Sequence, residues 1–165
     1  MIYVFDTSSF RALQHFYPAI FGTIWKQMGE LVESRKILST KEVLRELDRQ
    51  DITKELEEWV RDRKSIFLEP SREETNFVSI MLSTKDFAGL LGKQPQPQVR
   101  PVADPFVIAC AKRYSATVVT EEGWNHSATS LVPKPNARKI PNVCEYFKIP
   151  CINLEAFMRE QGWRF

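Results

Sequence analysis

Ile2-Tyr3-Val4-Phe5 is a continuous apolar run that stops at Asp6-Thr7-Ser8-Ser9, as a buried strand does when it reaches the edge of a sheet and turns. From Phe10 the spacing becomes helical. Phe16, Ile20, Ile24, Trp25, Met28, Leu31 and Val32 recur at intervals near three and four, which predicts one helix or two, with Pro18 placing a break or a new start. Lys36 to Ser39 reads as a second strand, after which Ser39 or Thr40 caps a helix with Val43, Leu44 and Leu47 on one face. Ile52 to Arg63 predicts a charged surface helix that turns Leu56, Trp59 and Val60 inward, and Ile66-Phe67-Leu68 a third short strand ahead of Pro70.

A further helix is predicted over Glu73 to Leu82. Lys93 to Arg100, with Pro95 and Pro97 among glutamines, has the composition of a loop and is too short to divide domains. Asp104-Pro105 reads as an N-cap followed by proline at the first helical position, opening a helix through Phe106, Ile108, Ala109 and Ala111. Ala116 to Thr120 is a fourth strand, and Ile149 to Ile152, with its internal Pro150, suits an edge strand. Strands alternating with helices at this spacing predict an α/β fold with a parallel sheet covered on both faces. In such sheets a ligand lies beyond the carboxyl ends of the strands.

A chain of 165 residues is the size of one domain, so a single unit over residues 1–165 is expected. The net charge of +2 is too small to mark a dedicated nucleic-acid binder. Its distribution says more, because Gly123 to Lys139 holds Lys134, Arg138 and Lys139 and no carboxylate. Cys110, Cys144 and Cys151 form no CxxC pair, which fits reduced thiols in a cytoplasmic protein better than a disulfide framework or a zinc site. No long apolar run or signal-peptide pattern is present, so no membrane association is expected.

The candidate chemistry is acidic. Asp6 ends the first strand, Asp104 opens the helix before the fourth, and Glu121 with Glu122 ends the fourth. If the first and fourth strands are neighbours, their terminal carboxylates stand about 5 Å apart before side chains are counted. Such proximity raises at least one pKa unless a cation lies between the charges, and a hard ion with oxygen ligands, Mg²⁺ or Mn²⁺, is the usual remedy. Glu42 and Glu46, four positions apart on one helix face, could each reach the same rim; Glu46 is preferred and Glu42 is the alternative acid. Taken singly, each acid has a plainer reading as a turn residue, a cap or a solvated charge. Their joint placement at one rim carries the argument.

These residues resemble a PIN domain, the nuclease fold shared by VapC-type toxins and several RNA-processing enzymes. The resemblance rests on Ile2-Tyr3-Val4-Phe5-Asp6-Thr7-Ser8, on Val43-Leu44-Arg45-Glu46-Leu47, and on Ala103-Asp104-Pro105-Phe106-Val107-Ile108-Ala109 followed by Ala116-Thr117-Val118-Val119-Thr120-Glu121-Glu122. It implies a three-layer sandwich around a mostly parallel five-stranded sheet. It also implies one or two Mg²⁺ or Mn²⁺ ions and metal-dependent hydrolysis of single-stranded RNA. Asp6 and Asp104 would be direct ligands, with Glu46, Glu121 and Glu122 ligating or holding metal-bound water. Thr7 or Ser8 would fix that water, or else cap the following helix.

Lys134, Arg138 and Lys139 are candidates for the RNA backbone, with Trp124 and His126 for stacking on unpaired bases. A cognate antitoxin and a homodimer are the partners the resemblance implies. Two other readings compete: a catalytically silent PIN-like module that binds RNA or a protein, and a haloacid-dehalogenase-like phosphatase with Asp6 as nucleophile. The phosphatase is disfavoured because Ser8 stands where that family has a second acid.

Overall fold

In a computed structural model of the chain, which describes residues 1–84, 103–123 and 139–164, β1 (Tyr3–Phe5) lies at the centre of a five-stranded sheet. Around it the order is β3-β2-β1-β4-β5, with β2 at Ile37–Thr40, β3 at Phe67–Leu68, β4 at Thr117–Val119 and β5 at Cys151–Ile152. Every pairing is parallel. Parallel strands need crossovers, and helices supply them on both faces. The result is an α/β sandwich of three layers, the PIN-like architecture expected from the sequence.

All three residues of β1 are buried, which is why the first strand reads as an unbroken apolar run rather than an alternation. Its aromatic side chains organise the core. The Phe5 ring meets Phe157 at 5.0 Å edge-on and Phe10 at 5.4 Å, and Phe10 continues to Phe67 at 5.5 Å and Trp59 at 6.2 Å. Burying each such ring stabilises the fold by roughly 2–3 kcal/mol.

Helix α1 (Thr7–Leu13) follows β1 directly. Pro18 takes the first position of α2 (Pro18–Glu33), and a non-helical Phe21 kinks that helix; proline thus starts a new helix here. Thr40 caps α3 (Lys41–Leu47) and Thr53 caps α4 (Lys54–Asp62), which buries Leu56, Trp59 and Val60 as its periodicity predicts. Helix α5 (Arg72–Ser83) opens with a reciprocal capping box between Ser71 and Glu74, and Glu74 also holds Arg113 at 3.0 Å on α6 (Ala103–Tyr114).

Two features differ from the sequence reading. Helix α6 begins at Ala103, so Asp104 lies within its first turn instead of capping it. Two further helices, α7 (Ile140–Phe147) and α8 (Leu154–Glu160), flank β5. The loop expected at Lys93 to Arg100 lies outside the described residues. Among the described residues no helix is long and apolar enough to cross a membrane.

Candidate functional site

The register that pairs Phe5 with Val119 makes Asp6 and Thr120 the next residues at the carboxyl rim of the two central strands. Asp6 is only 3% exposed, and its carboxylate is surrounded by donors from the chain itself. Oδ1 accepts from the Ser9 backbone N–H at 2.8 Å, the Ser9 hydroxyl at 2.7 Å and the Ser8 hydroxyl at 2.9 Å. Oδ2 accepts from the Thr120 hydroxyl at 2.8 Å and lies 2.7 Å from Ser8 Oγ. Asp6 is therefore the N-cap of α1, satisfying one of the amide donors that a helix start leaves open. Burial pushes its pKa up, and the bonds from Ser9, Ser8 and Thr120 oppose that rise.

Glu46 is similarly engaged. Its Oε1 accepts from the Ala103 backbone N–H at 2.9 Å and its Oε2 from the Thr7 hydroxyl at 2.5 Å, so it closes the start of α6 and ties α3 to α1. Glu121 turns away to accept from the Leu154 N–H at 2.7 Å at the start of α8. Ser8, expected either to fix a metal-bound water or to cap the following helix, spans the rim: it bonds Asp6 and accepts from the Glu121 N–H at 2.9 Å.

These contacts overturn the expectation of a metal site. Among the described residues no group of three or more His, Cys, Asp or Glu side chains could hold a metal ion. Bound Mg²⁺ or Mn²⁺, the metal-ligand roles of Asp6, Asp104, Glu46, Glu121 and Glu122, and the metal-dependent ribonuclease, hydrolase and toxin reading built on them are corrected accordingly. The physical reason is visible in the donors. Hydroxyls and backbone amides engage both oxygens of Asp6 and of Glu46 and one of Glu121, and a hard cation holds well only where several free oxygens converge. Nor is Asp6 presented for nucleophilic attack, because both its oxygens are bonded and the side chain is enclosed.

The family model of DUF4411, a domain of unknown function, matches residues 3–165. The chain belongs to the DUF4411 family. Among solved structures, a chain of VapBC2 from Rickettsia felis, in a crystal structure bound to a DNA fragment from their promoter, matches this DUF4411 chain with a TM-score of 0.48 and 15% identity, over 93% of this chain and 98% of that one. That likeness is too distant to bear on activity. No curated protein matches the DUF4411 chain.

The outer part of the DUF4411 rim is less fully bonded than the inner part. Asp104 is half-buried, and its pKa is pushed up to about 7, first by burial and then by the charges of Glu122, Asp6 and Glu46, with Lys139 pulling it down. Asp104 thus carries the influence of three other acids drawn from separate elements. Burial raises Glu122 as well; Lys139 opposes that rise and Asp6 adds to it. Lys139 Nζ lies 3.6 Å from Glu122 Oε1, while Glu122 Oε2 is buried with no hydrogen-bond partner among the described residues. Repulsion expected to be relieved by a metal is relieved instead by hydroxyl donors, by protonation near neutrality and by Lys139.

Glu42 is not part of this group. It is buried against Arg45 at 3.0 Å, with Glu69 as its acidic neighbour. Trp124, His126, Lys134 and Arg138 lie outside the described residues. Ser9 and Thr120 were not singled out from sequence, although three consecutive hydroxyl residues, Thr7, Ser8 and Ser9, directly after an acid are a signal for a capped helix start.

Proposed function

We propose that this protein is a catalytically silent PIN-like module that binds another protein, receiving a basic side chain of that partner at the acidic rim. The observation that carries the reading is the division of labour among the carboxylates. Asp6, Glu46 and Glu121 are spent on intrachain donors, whereas Glu122 keeps a buried oxygen without a partner and Asp104 is held half-protonated near pH 7. A guanidinium or ammonium entering beside Asp104 and Glu122 would join Lys139 as a second cation at the rim and so favour release of a proton from Asp104. RNA is the weaker occupant, because its phosphates would meet these acids and because Lys139 is already engaged with Glu122.

The test is calorimetric, using the full chain. Mn²⁺ should give no saturable uptake, and single-stranded RNA should survive equally with wild type and Asp104→Ala in Mg²⁺ or Mn²⁺. A tetra-arginine peptide should bind with proton release at pH 7, and Asp104→Asn together with Glu122→Gln should abolish both. Stoichiometric Mn²⁺ binding with RNA cleavage lost in Asp104→Ala would overturn the proposal, as would peptide binding that ignores the double substitution.

A further inference from the structure

The opposite pole of the sheet, at the amino ends of the strands, carries a cavity of about 810 Å³, within the range of small-molecule sites. Ile2, Ile37, Leu38, Ile66, Leu68 and Tyr114 give it an apolar lining, and the same cavity is bordered by two acids, Glu33 and Asp62, and two arginines, Arg35 and Arg63. Apolar walls with a few convergent charges are the composition that fixes a small ligand's orientation.

One of these charges, Arg63, is held in place by its surroundings, and the other arginine stands at a particular backbone position. Arg63 is half-buried; its guanidinium lies 4.7 Å over the Trp59 ring and its Nη1 donates to the Trp59 carbonyl at 3.4 Å. Gly29 of α2 leaves the space: a Cβ there would stand 3.3 Å from Arg63 Nη2. Arg35 occupies the left-handed region with φ of 56°, at the end of α2, where its N–H donates to the Val32 carbonyl and that of Lys36 to the Leu31 carbonyl. Glycine is the residue that suits such a position, and any other costs about 1 kcal/mol.

Neither Glu33 nor Arg35 has an ion-pair partner among the described residues, and Asp62 shares only an exposed contact of 3.4 Å with Arg61, which is weak. Both signs of charge are thus on offer around one apolar lining. We propose that this cavity binds a small zwitterion with an apolar body, either a free apolar amino acid or a short apolar peptide. The carboxylate would dock on Arg35 and Arg63, the ammonium on Glu33 and Asp62, and the apolar side chain on Leu38, Ile66 and Tyr114. This site is separate from the acidic rim and does not depend on its reading.

Isothermal titration of the full chain with L-leucine, L-phenylalanine and L-leucyl-L-leucine tests it. At least one should bind saturably at one per chain, and the relative strength of amino acid and dipeptide tells which source the site serves. 4-Methylpentanoate, lacking the ammonium, and 3-methylbutylamine, lacking the carboxylate, should each bind at least about tenfold more weakly. Arg35→Gly should weaken the zwitterion by about tenfold without lowering the melting temperature, since glycine suits the backbone there. Glu33→Gln should weaken it while leaving 4-methylpentanoate unchanged. Absence of saturable binding by all three zwitterions, equal binding by the single-charge analogues, or undiminished affinity in Arg35→Gly would each overturn the proposal.

Discussion

Asp6 and Asp104 are both carboxylates near the rim of one sheet, yet the first is enclosed by donors and the second is surrounded by other acids. Asp6 accepts from Ser8, Ser9 and Thr120 and caps a helix. Asp104 answers chiefly to burial and to the charges of Glu122, Asp6 and Glu46. The difference teaches that closeness of acids does not by itself make a metal site. What decides is whether their oxygens are left free to converge, and here the inner group has been turned to structural use while the outer group keeps unspent charge.

If the inner half is structural, removing its centre should cost the most. Asp6→Ala strips the cap of α1 and leaves the hydroxyls of Ser8, Ser9 and Thr120 around an emptied acceptor. Loss of the cap and of buried hydrogen bonds should lower unfolding stability by about 3–4 kcal/mol, read from the urea midpoint. Asp6→Asn, which keeps one acceptor oxygen, should recover part of that loss. A stability unchanged in Asp6→Ala would erase the distinction between the two halves.

The outer half should reveal itself through pH. The folded-state pKa of Asp104, about 7 against an ordinary 3.8, is raised, so the native state binds the proton more tightly than the unfolded chain. Its contribution to stability is fully present below about pH 4 and is lost as pH rises through about 7. Partial solvent exposure reduces the size of the effect to about 2 kcal/mol. Asp104→Asn should flatten the stability profile between those limits, while Asp6→Asn should leave the part due to Asp104 largely in place. Parallel profiles for wild type and Asp104→Asn would remove the case for an unspent outer charge.

Glu46 belongs with the inner group, and the comparison sharpens if it behaves so. Glu46→Gln keeps an oxygen for the Ala103 N–H or the Thr7 hydroxyl but not the charge-assisted strength of both bonds, and should cost about 1 kcal/mol in the same denaturation assay. Glu46→Ala, which leaves the first amide of α6 unpaired, should cost more.

Much of this arrangement was legible in the sequence. The unbroken apolar run to Phe5 marks a central parallel strand, and the termini occupied by Asp6, Asp104 and Glu122 forecast that distant acids would gather. The apolar pattern could not show which way each oxygen points. A metal ligand and a helix cap are the same Asp in the same place at a strand end, separated only by the hydroxyls of Ser8, Ser9 and Thr120 turning toward it. Helix α7 carries one start signal, Pro141 in its first turn, but Lys139 makes no side-chain cap and the helix ends on Lys148 in a left-handed conformation instead of on glycine, so its pattern in the sequence is weak. The edge strand expected over Ile149 to Ile152 is present as β5, where Cys151 and Ile152 pair with β4 at the margin of the sheet.

The smallest effect expected concerns Lys139, the cation that the rim already holds. It lowers the pKa of both Asp104 and Glu122 and pairs with Glu122 at 3.6 Å with about half of its side chain exposed (48%). Lys139→Met should therefore move the pH-dependent loss of stability to higher pH, because Asp104 would then hold its proton longer. At pH 8 the folded state would carry one cation fewer beside the same acids, a net cost below about 1 kcal/mol given the solvent screening of an exposed lysine. Titration of the Asp104 carboxyl by carbon-detected NMR in wild type and Lys139→Met measures the shift directly. An unmoved or lowered titration would mean that Lys139 does not face the outer acids in solution, and the contrast between the two halves would then rest on Glu122 and Asp104 alone.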